Sequence, residues 1–148
     1  MGLTKIISDL QNDEGFRSKV YLDTEGNPTI GYGFLIRDLE LTKDIAGAIL
    51  LQIVLKRQKE IRELMPWTSE LPDPIFDAVT EMVYQMGPGE EDKNHEIKHG
   101  FRSFKKAIGH LQKQEWQLAA DDFMQGLWAK QTPNRAKKVT NMIRHYTP

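Results

Sequence analysis

Apolar positions recur at helical spacing through most of the 148-residue chain and at strand-like density near its start. Ile6, Ile7 and Leu10 share one face of a short helix that Thr4 can cap and that runs to about Asp13, with Gly15 placed where helices commonly stop. Residues 17–22 and 28–35 read as the two strands of a small hairpin, because the breakers Asp23-Thr24-Glu25-Gly26-Asn27-Pro28 divide them. Thr42 caps a long helix over 42–65. Along it Ile45, Ile49, Ile53 and Leu64 predict one buried stripe, widened by Leu50, Val54 and Ile61, and Pro66 ends it. Pro72-Asp73-Pro74 opens a helix to about Met86, before Gly87-Pro88-Gly89. The polar stretch 90–100 predicts a loop. Helices over 101–112 and 115–124 follow, then one from Thr132 with Pro133 in its first turn.

The pattern predicts an α+β fold, predominantly helical. It forms a single domain with a hairpin lobe over 14–41 and a helical lobe over 66–148 that includes the N-terminal helix 4–13; the helix 42–65 joins them. With 39% hydrophobic and 28% charged residues the chain is neither disordered nor membranous in composition. The greasiest segment, residues 45–55, is about half the ~20 residues a membrane helix needs. The start, Met1-Gly2-Leu3-Thr4-Lys5, leads into no apolar signal segment, so the expectation is a protein made soluble. The lack of cysteine excludes a disulfide framework, thiol catalysis and Cys-ligated metal sites.

Charge adds a further constraint. The formal net charge of −1 hides a split: residues 1–97 carry 10 basic and 18 acidic side chains, residues 98–148 carry 10 and 3. A cationic C-terminal third suits an anionic polymer, whether nucleic acid, acidic glycan or lipid headgroups; the plain alternative is a solvated face neutralised by the acidic part. The basic stretch has no recognised nucleic-acid motif and little aromatic interleaving.

The densest chemistry lies in Glu14-Gly15, Asp23-Thr24-Glu25-Gly26 and Thr29-Ile30-Gly31-Tyr32-Gly33. A returning hairpin could aim Glu14 and Asp23 into one gap, the pair that glycosidic cleavage uses, one as acid to the leaving oxygen and one opposite it. Spacing alone equally allows a helix-end charge and a turn former. A second pattern, His95-Glu96-Ile97-Lys98-His99, satisfies H-E-x-x-H, which on a helix would place two zinc ligands and a base. Its polar surroundings favour a loop, and Arg102 and Lys105 stand where the extended pattern wants glycine and histidine. A zinc metallopeptidase and a non-catalytic wall-binding module are the competing classes.

The three ordered elements above resemble the phage-type lysozymes, or endolysins, of glycoside hydrolase family 24. So do Met82-Val83-Tyr84-Gln85-Met86-Gly87 and Gln131-Thr132-Pro133-Asn134-Arg135-Ala136-Lys137, together with Trp116 and Trp128. The likeness covers nearly the whole chain, with a shorter middle and an extra polar loop near 88–99. It implies a muramidase that cleaves the β-1,4 bond between N-acetylmuramic acid and N-acetylglucosamine with inversion. In that scheme Glu14 is the general acid, Asp23 activates water, and Thr29 helps to place it. Arg135 matches a supporting arginine beside the glutamate. Leu35, Tyr84, Gln85, Ala107 and Asp122 match substrate contacts, although Tyr84 stands for Phe, Ala107 for a small hydroxyl residue and Asp122 for an amide. Phe34, Glu81 and Lys138 replace a histidine, an asparagine and an arginine. The resemblance implies no metal, nucleotide or other cofactor. It implies peptidoglycan as partner, no nucleic acid, no stable membrane association and a monomer. A role in phage-mediated host lysis would have the protein made in the host cytoplasm and released to the wall by a holin.

Overall fold

The computed structural model describes residues 2–148. In chain order it contains α1 (Gly2–Glu14), β1 (Arg17–Leu22), β2 (Pro28–Gly31), β3 (Phe34–Leu35), α2 (Lys43–Leu64), α3 (Asp73–Met86), α4 (Lys105–Gln112), α5 (Trp116–Met124), α6 (Leu127–Gln131) and α7 (Pro133–Arg144). Short 3-10 turns occupy Ile36–Asp38, Pro66–Glu70 and Phe101–Ser103. The three strands form one antiparallel sheet in the order β1-β2-β3. The fold is α+β and predominantly helical, as the pattern predicts. Contacts divide it into two compact units, one ending at Gly47 and one starting at Ala48.

In the first unit Gly15 stops α1: it adopts φ +67 and its N–H donates to the Gln11 carbonyl at 3.1 Å. The helix already runs from Gly2, so Thr4 lies inside it rather than capping it. The single strand expected over 28–35 is two. Gly31 and Gly33, at φ +71 and +75, bend the chain at Tyr32-Gly33 and return β3 against β2. The register pairs Tyr21 with Thr29 and Thr29 with Leu35, so Thr29 is the central residue of the sheet and is 2% exposed.

Thr42 caps α2 as its sequence implies, its Oγ1 accepting the Ile45 N–H at 3.2 Å. The stripe expected along α2 is not buried, however. Ile61 alone is, while Ile45, Ile49, Leu50, Ile53 and Leu64 stay exposed. Apolar residues point outward all round this helix, Leu51 and Leu55 included, and no single contact face can cover them. In the second unit the core gathers on α3, whose Ile75, Val79, Met82 and Val83 are fully buried with Phe101, Leu111, Phe123, Val139 and Ile143. Phe123 stacks on Phe101 with ring centres 5.6 Å apart and tilts against Phe104 at 5.2 Å. α3 is also tied to the α6–α7 junction: Trp128 Nε1 donates to Gln85 Oε1 at 2.8 Å, and Gln85 Nε2 donates to Thr132 Oγ1 at 3.2 Å.

The polar segment between α3 and α4 is a closed excursion. Phe101 N–H donates to the Gly87 carbonyl at 2.9 Å and Arg102 N–H to the Pro88 carbonyl at 3.0 Å; Arg102 Nη2 reaches the Gly89 carbonyl at 2.7 Å. Gly89 and Gly100 cross so closely at this neck that a Cβ on Gly100 would fall 2.5 Å from the Gly89 nitrogen. Beyond the neck, Asp92 Oδ1 accepts the N–H groups of Asn94 and Glu96, and Lys98 pairs with Asp92 at 3.2 Å. Among the described residues no helix is long and apolar enough to cross a membrane.

Candidate active site

The first unit holds Glu14, Asp23, Thr29 and Leu35. Glu14 is the last residue of α1. Its exposed carboxylate lies over Gly33: a Cβ there would fall 2.6 Å from Glu14 Oε2. Gly33 is therefore needed twice, for its positive φ and for the room that Glu14 takes. Asp23 opens the β1–β2 turn. Its Oδ1 accepts the N–H of Asn27 at 2.8 Å and of Glu25 at 2.9 Å. The Asn27 N–H foremost, against some desolvation and with help from Glu25, the Asn27 side chain and Arg37, holds this carboxyl below its ordinary 3.8. Thr29 Oγ1 donates to the Asn27 carbonyl at 3.0 Å. Asn27 thus fixes both the carboxylate and the hydroxyl proposed to act on water. Sequence reading marked Asn27 only as a turn breaker; a residue two before Thr29 and four after Asp23 is where a tight turn brings donor and acceptor together.

The second unit holds the other candidates, and they fall into two groups. Tyr84 and Arg135 line one hollow of about 520 Å³ with Glu81, Lys138 and the apolar Leu50 and Met142. Lys138 Nζ lies 3.6 Å from Glu81, so two departures from the family pattern meet each other. Gln85 is engaged at both ends of its amide by Trp128 and Thr132, a structural use that its sequence position did not reveal. Ala107 and Asp122 line a separate, shallow hollow of about 350 Å³ with Phe104, Lys105 and Lys106. Ala107 is 1% exposed and offers little surface, whereas Asp122 brings a charged edge. His110, which no sequence motif singled out, stands behind Asp122 with its Nε2 3.3 Å from Oδ2.

The H-E-x-x-H pattern does not form its expected geometry. Residues 95–99 lie in the excursion rather than on a helix, His95 adopts φ 60, and its Nδ1 meets Glu91 at 3.2 Å. No group of three or more His, Asp or Glu side chains is placed to hold a metal ion among the described residues.

Glu14 at the end of α1 and Asp23, held by two backbone donors, lie in the same small unit. The profile of the phage lysozyme family matches residues 11–140. The chain is 28% identical to the pre-baseplate central spike protein Gp5 of Enterobacteria phage T4 over 90% of its own length and 26% of the spike protein's, so it spans about a quarter of that relative. It is 29% and 24% identical to two probable T4-type lysozymes of Dictyostelium discoideum, with 90% of each partner covered. The chain belongs to the phage lysozyme family of glycoside-cleaving hydrolases.

Proposed function

We propose that the protein is a muramidase that cleaves the β-1,4 bond between N-acetylmuramic acid and N-acetylglucosamine in peptidoglycan. The observation that supports it most is the unlike treatment of the two carboxylates. Asp23 is fixed in its ionised form by two backbone N–H groups, which suits a base that draws a proton from water. Glu14, by contrast, ends a helix with its exposed carboxylate over Gly33. In this reading Glu14 gives its proton to the glycosidic oxygen as the bond to the anomeric carbon breaks. Water attacks the opposite face and passes its proton to Asp23, with Thr29 orienting that water, and the anomeric centre inverts. Leu35, Tyr84 and Asp122 would contact the glycan and its peptide, with Arg135 in a supporting role. The enzyme would act as a monomer on the host wall during phage lysis, after cytoplasmic synthesis and holin-type release.

Reducing-sugar release from purified peptidoglycan by wild type, Glu14→Gln and Asp23→Asn tests the assignment, with the anomer of the first product read by NMR. Wild type should release reducing ends with inverted configuration, and each variant should fall by at least about a hundredfold. A variant that keeps near-wild-type rate removes that residue from the reaction. A retained anomer removes the water-activating role of Asp23.

A further inference from the structure

Two of the chain's three tryptophans meet at a hollow that the proposed reaction does not use. Trp67 lies in the 3-10 turn Pro66–Glu70, and Trp116 is the first residue of α5. The apolar Leu71 and Leu111 and the exposed Glu70, Gln112 and Gln114 complete this space of about 110 Å³ in the second unit. Both indoles are half-buried, whereas the third tryptophan, Trp128, is buried and donates to Gln85. The supports of the hollow are fixed. Thr68 Oγ1 donates to the Met65 carbonyl at 2.8 Å and Ser69 Oγ to that of Pro66 at 3.0 Å, which hold the turn around Trp67. Tyr146 meets the Trp116 ring nearly at right angles, with centres 5.8 Å apart. Beside Gln112 and Gln114 the end of α4 is closed by the Gln114 N–H on the Leu111 carbonyl at 3.1 Å and the Glu115 N–H on that of His110 at 2.9 Å. The candidate substrate contacts of this unit lie toward the other ends of the same helices. Trp67 precedes α3 and Tyr84 is about 17 Å along it; Gln112 ends α4 and Ala107 is in its first turn.

Indoles, amides and a carboxylate together suit a sugar. The face of an indole is electron-rich and the C–H bonds of a pyranose ring are slightly positive, so such a ring lies flat on tryptophan. The hydroxyl and acetamido groups at its rim need donors and acceptors; two glutamine amides supply both, and a carboxylate accepts. Apolar walls with a few polar groups that fix orientation are the common build of a small-ligand site, and rigid walls lower the ordering cost of binding. The space is well under the ~300 Å³ at which pockets for whole small molecules begin, so it takes one ring with its acetamido arm rather than a buried chain. A carboxylate beside two indoles also suits an ammonium ion. The amides decide for the sugar: an ammonium offers their N–H groups no acceptor, whereas a hydroxyl or an acetyl carbonyl does.

We propose that Trp67, Trp116, Gln112 and Gln114 form a second glycan site, which takes one N-acetylhexosamine ring of the wall polymer and is distinct from the candidate substrate contacts. It goes beyond the muramidase reading and takes from it only the polymer. A short soluble fragment engages one place at a time, so a weak hold on one ring does nothing for its cleavage. A wall presents many rings on one surface. There the second contact becomes intramolecular, and a weak site raises the hold on the polymer without any change in the chemical step.

The test follows the three indole Nε1–H signals by ¹⁵N NMR while chitotetraose, cellotetraose or tetramethylammonium is added to wild type and to the double variant Gln112→Ala/Gln114→Gly. Both changes fall on exposed side chains, and glycine suits the φ of 60 at Gln114, so the fold is kept. Chitotetraose should move the Trp67 and Trp116 signals, and cellotetraose, which has no acetamido groups, should bind there about tenfold more weakly. The double variant should bind chitotetraose about tenfold more weakly, the effect of one to two hydrogen bonds. Its KM on whole walls should rise by up to the same factor, with kcat and the KM for short soluble fragments unchanged. Trp67 and Trp116 signals that stay still, answer equally to cellotetraose or answer to tetramethylammonium alone overturn the proposal. So does a double variant that binds chitotetraose or whole walls as wild type does. A wild type that binds chitotetraose at these tryptophans and cleaves no wall overturns the muramidase reading and leaves the second site standing.

Discussion

Asp23 owes its charge to the turn that it begins. Two N–H groups of the same turn, those of Asn27 and Glu25, converge on one of its oxygens. Because its pKa is depressed on folding, the stability this contributes is complete above the ordinary carboxyl value of 3.8 and is lost as pH falls below it. The base in the proposed reaction therefore stays ionised through mild acid. Gly33 does the corresponding service for Glu14. In Gly33→Ala the new methyl meets Glu14 Oε2, the free end of a flexible side chain, so the carboxylate moves aside and the fold survives. The positive φ adds about 1–2 kcal/mol of strain. Denaturant unfolding should show that modest loss, whereas turnover should drop about a hundredfold, as displacement of a reacting group by about 1 Å does. Equal retention of activity would show that Glu14 does not need its seat.

At the level of elements, the sequence was most legible where local chemistry and burial agree. The Thr42 cap, the Pro72-Asp73-Pro74 opening of α3 and the Pro133 start of α7 all stand where punctuation put them. The hairpin region was harder, because Gly31 and Gly33 set a second bend that apolar alternation cannot show. The helix expected over 101–112 is split into a 3-10 turn over Phe101–Ser103 and α4 from Lys105, and the five-residue α6 has no counterpart in the sequence reading, because pieces this short display no period. Exposed Ile45, Ile49 and Ile53 show the opposite failure, a clear stripe whose spacing says nothing about what covers it. Of the candidate site, the motifs single out Glu14, Asp23 and Thr29, while the contacts of Asn27 and His110 exist only in the folded chain. The Gln85 amide is a further case, a motif residue employed in tying α3 to the α6–α7 junction. Trp128→Phe should cost about 1–2 kcal/mol by leaving Gln85 Oε1 without its donor. The urea midpoint should fall with an unchanged slope; a midpoint equal to wild type would show that water replaces the indole without loss.

For the molecule as a whole, charge distribution matters more than its sum. Residues 98–148 carry 10 basic and 3 acidic side chains, and Lys105, Lys106, Lys137 and Lys138 among them are exposed. Attraction between such a surface and an anionic wall is screened by salt, with a reach of about 8 Å at physiological ionic strength. Raising salt from 50 to 300 mM, which cuts the screening length from about 14 to about 6 Å, should therefore slow cleavage of whole walls more than cleavage of short soluble oligosaccharides. Equal slowing would reduce the basic stretch to solvated surface. The closed neck at Gly89 and Gly100 has a different kind of consequence. Its two strands of backbone already meet, so the entropy of bringing those ends together does not fall on the peptide between them, and loop length is a weak lever on stability. Residues 90–99 are in effect a socket. A cell-wall-targeting peptide or an affinity handle could be threaded there, making the second unit a carrier for cargo while its core and the candidate carboxylates of the first unit keep their sequence.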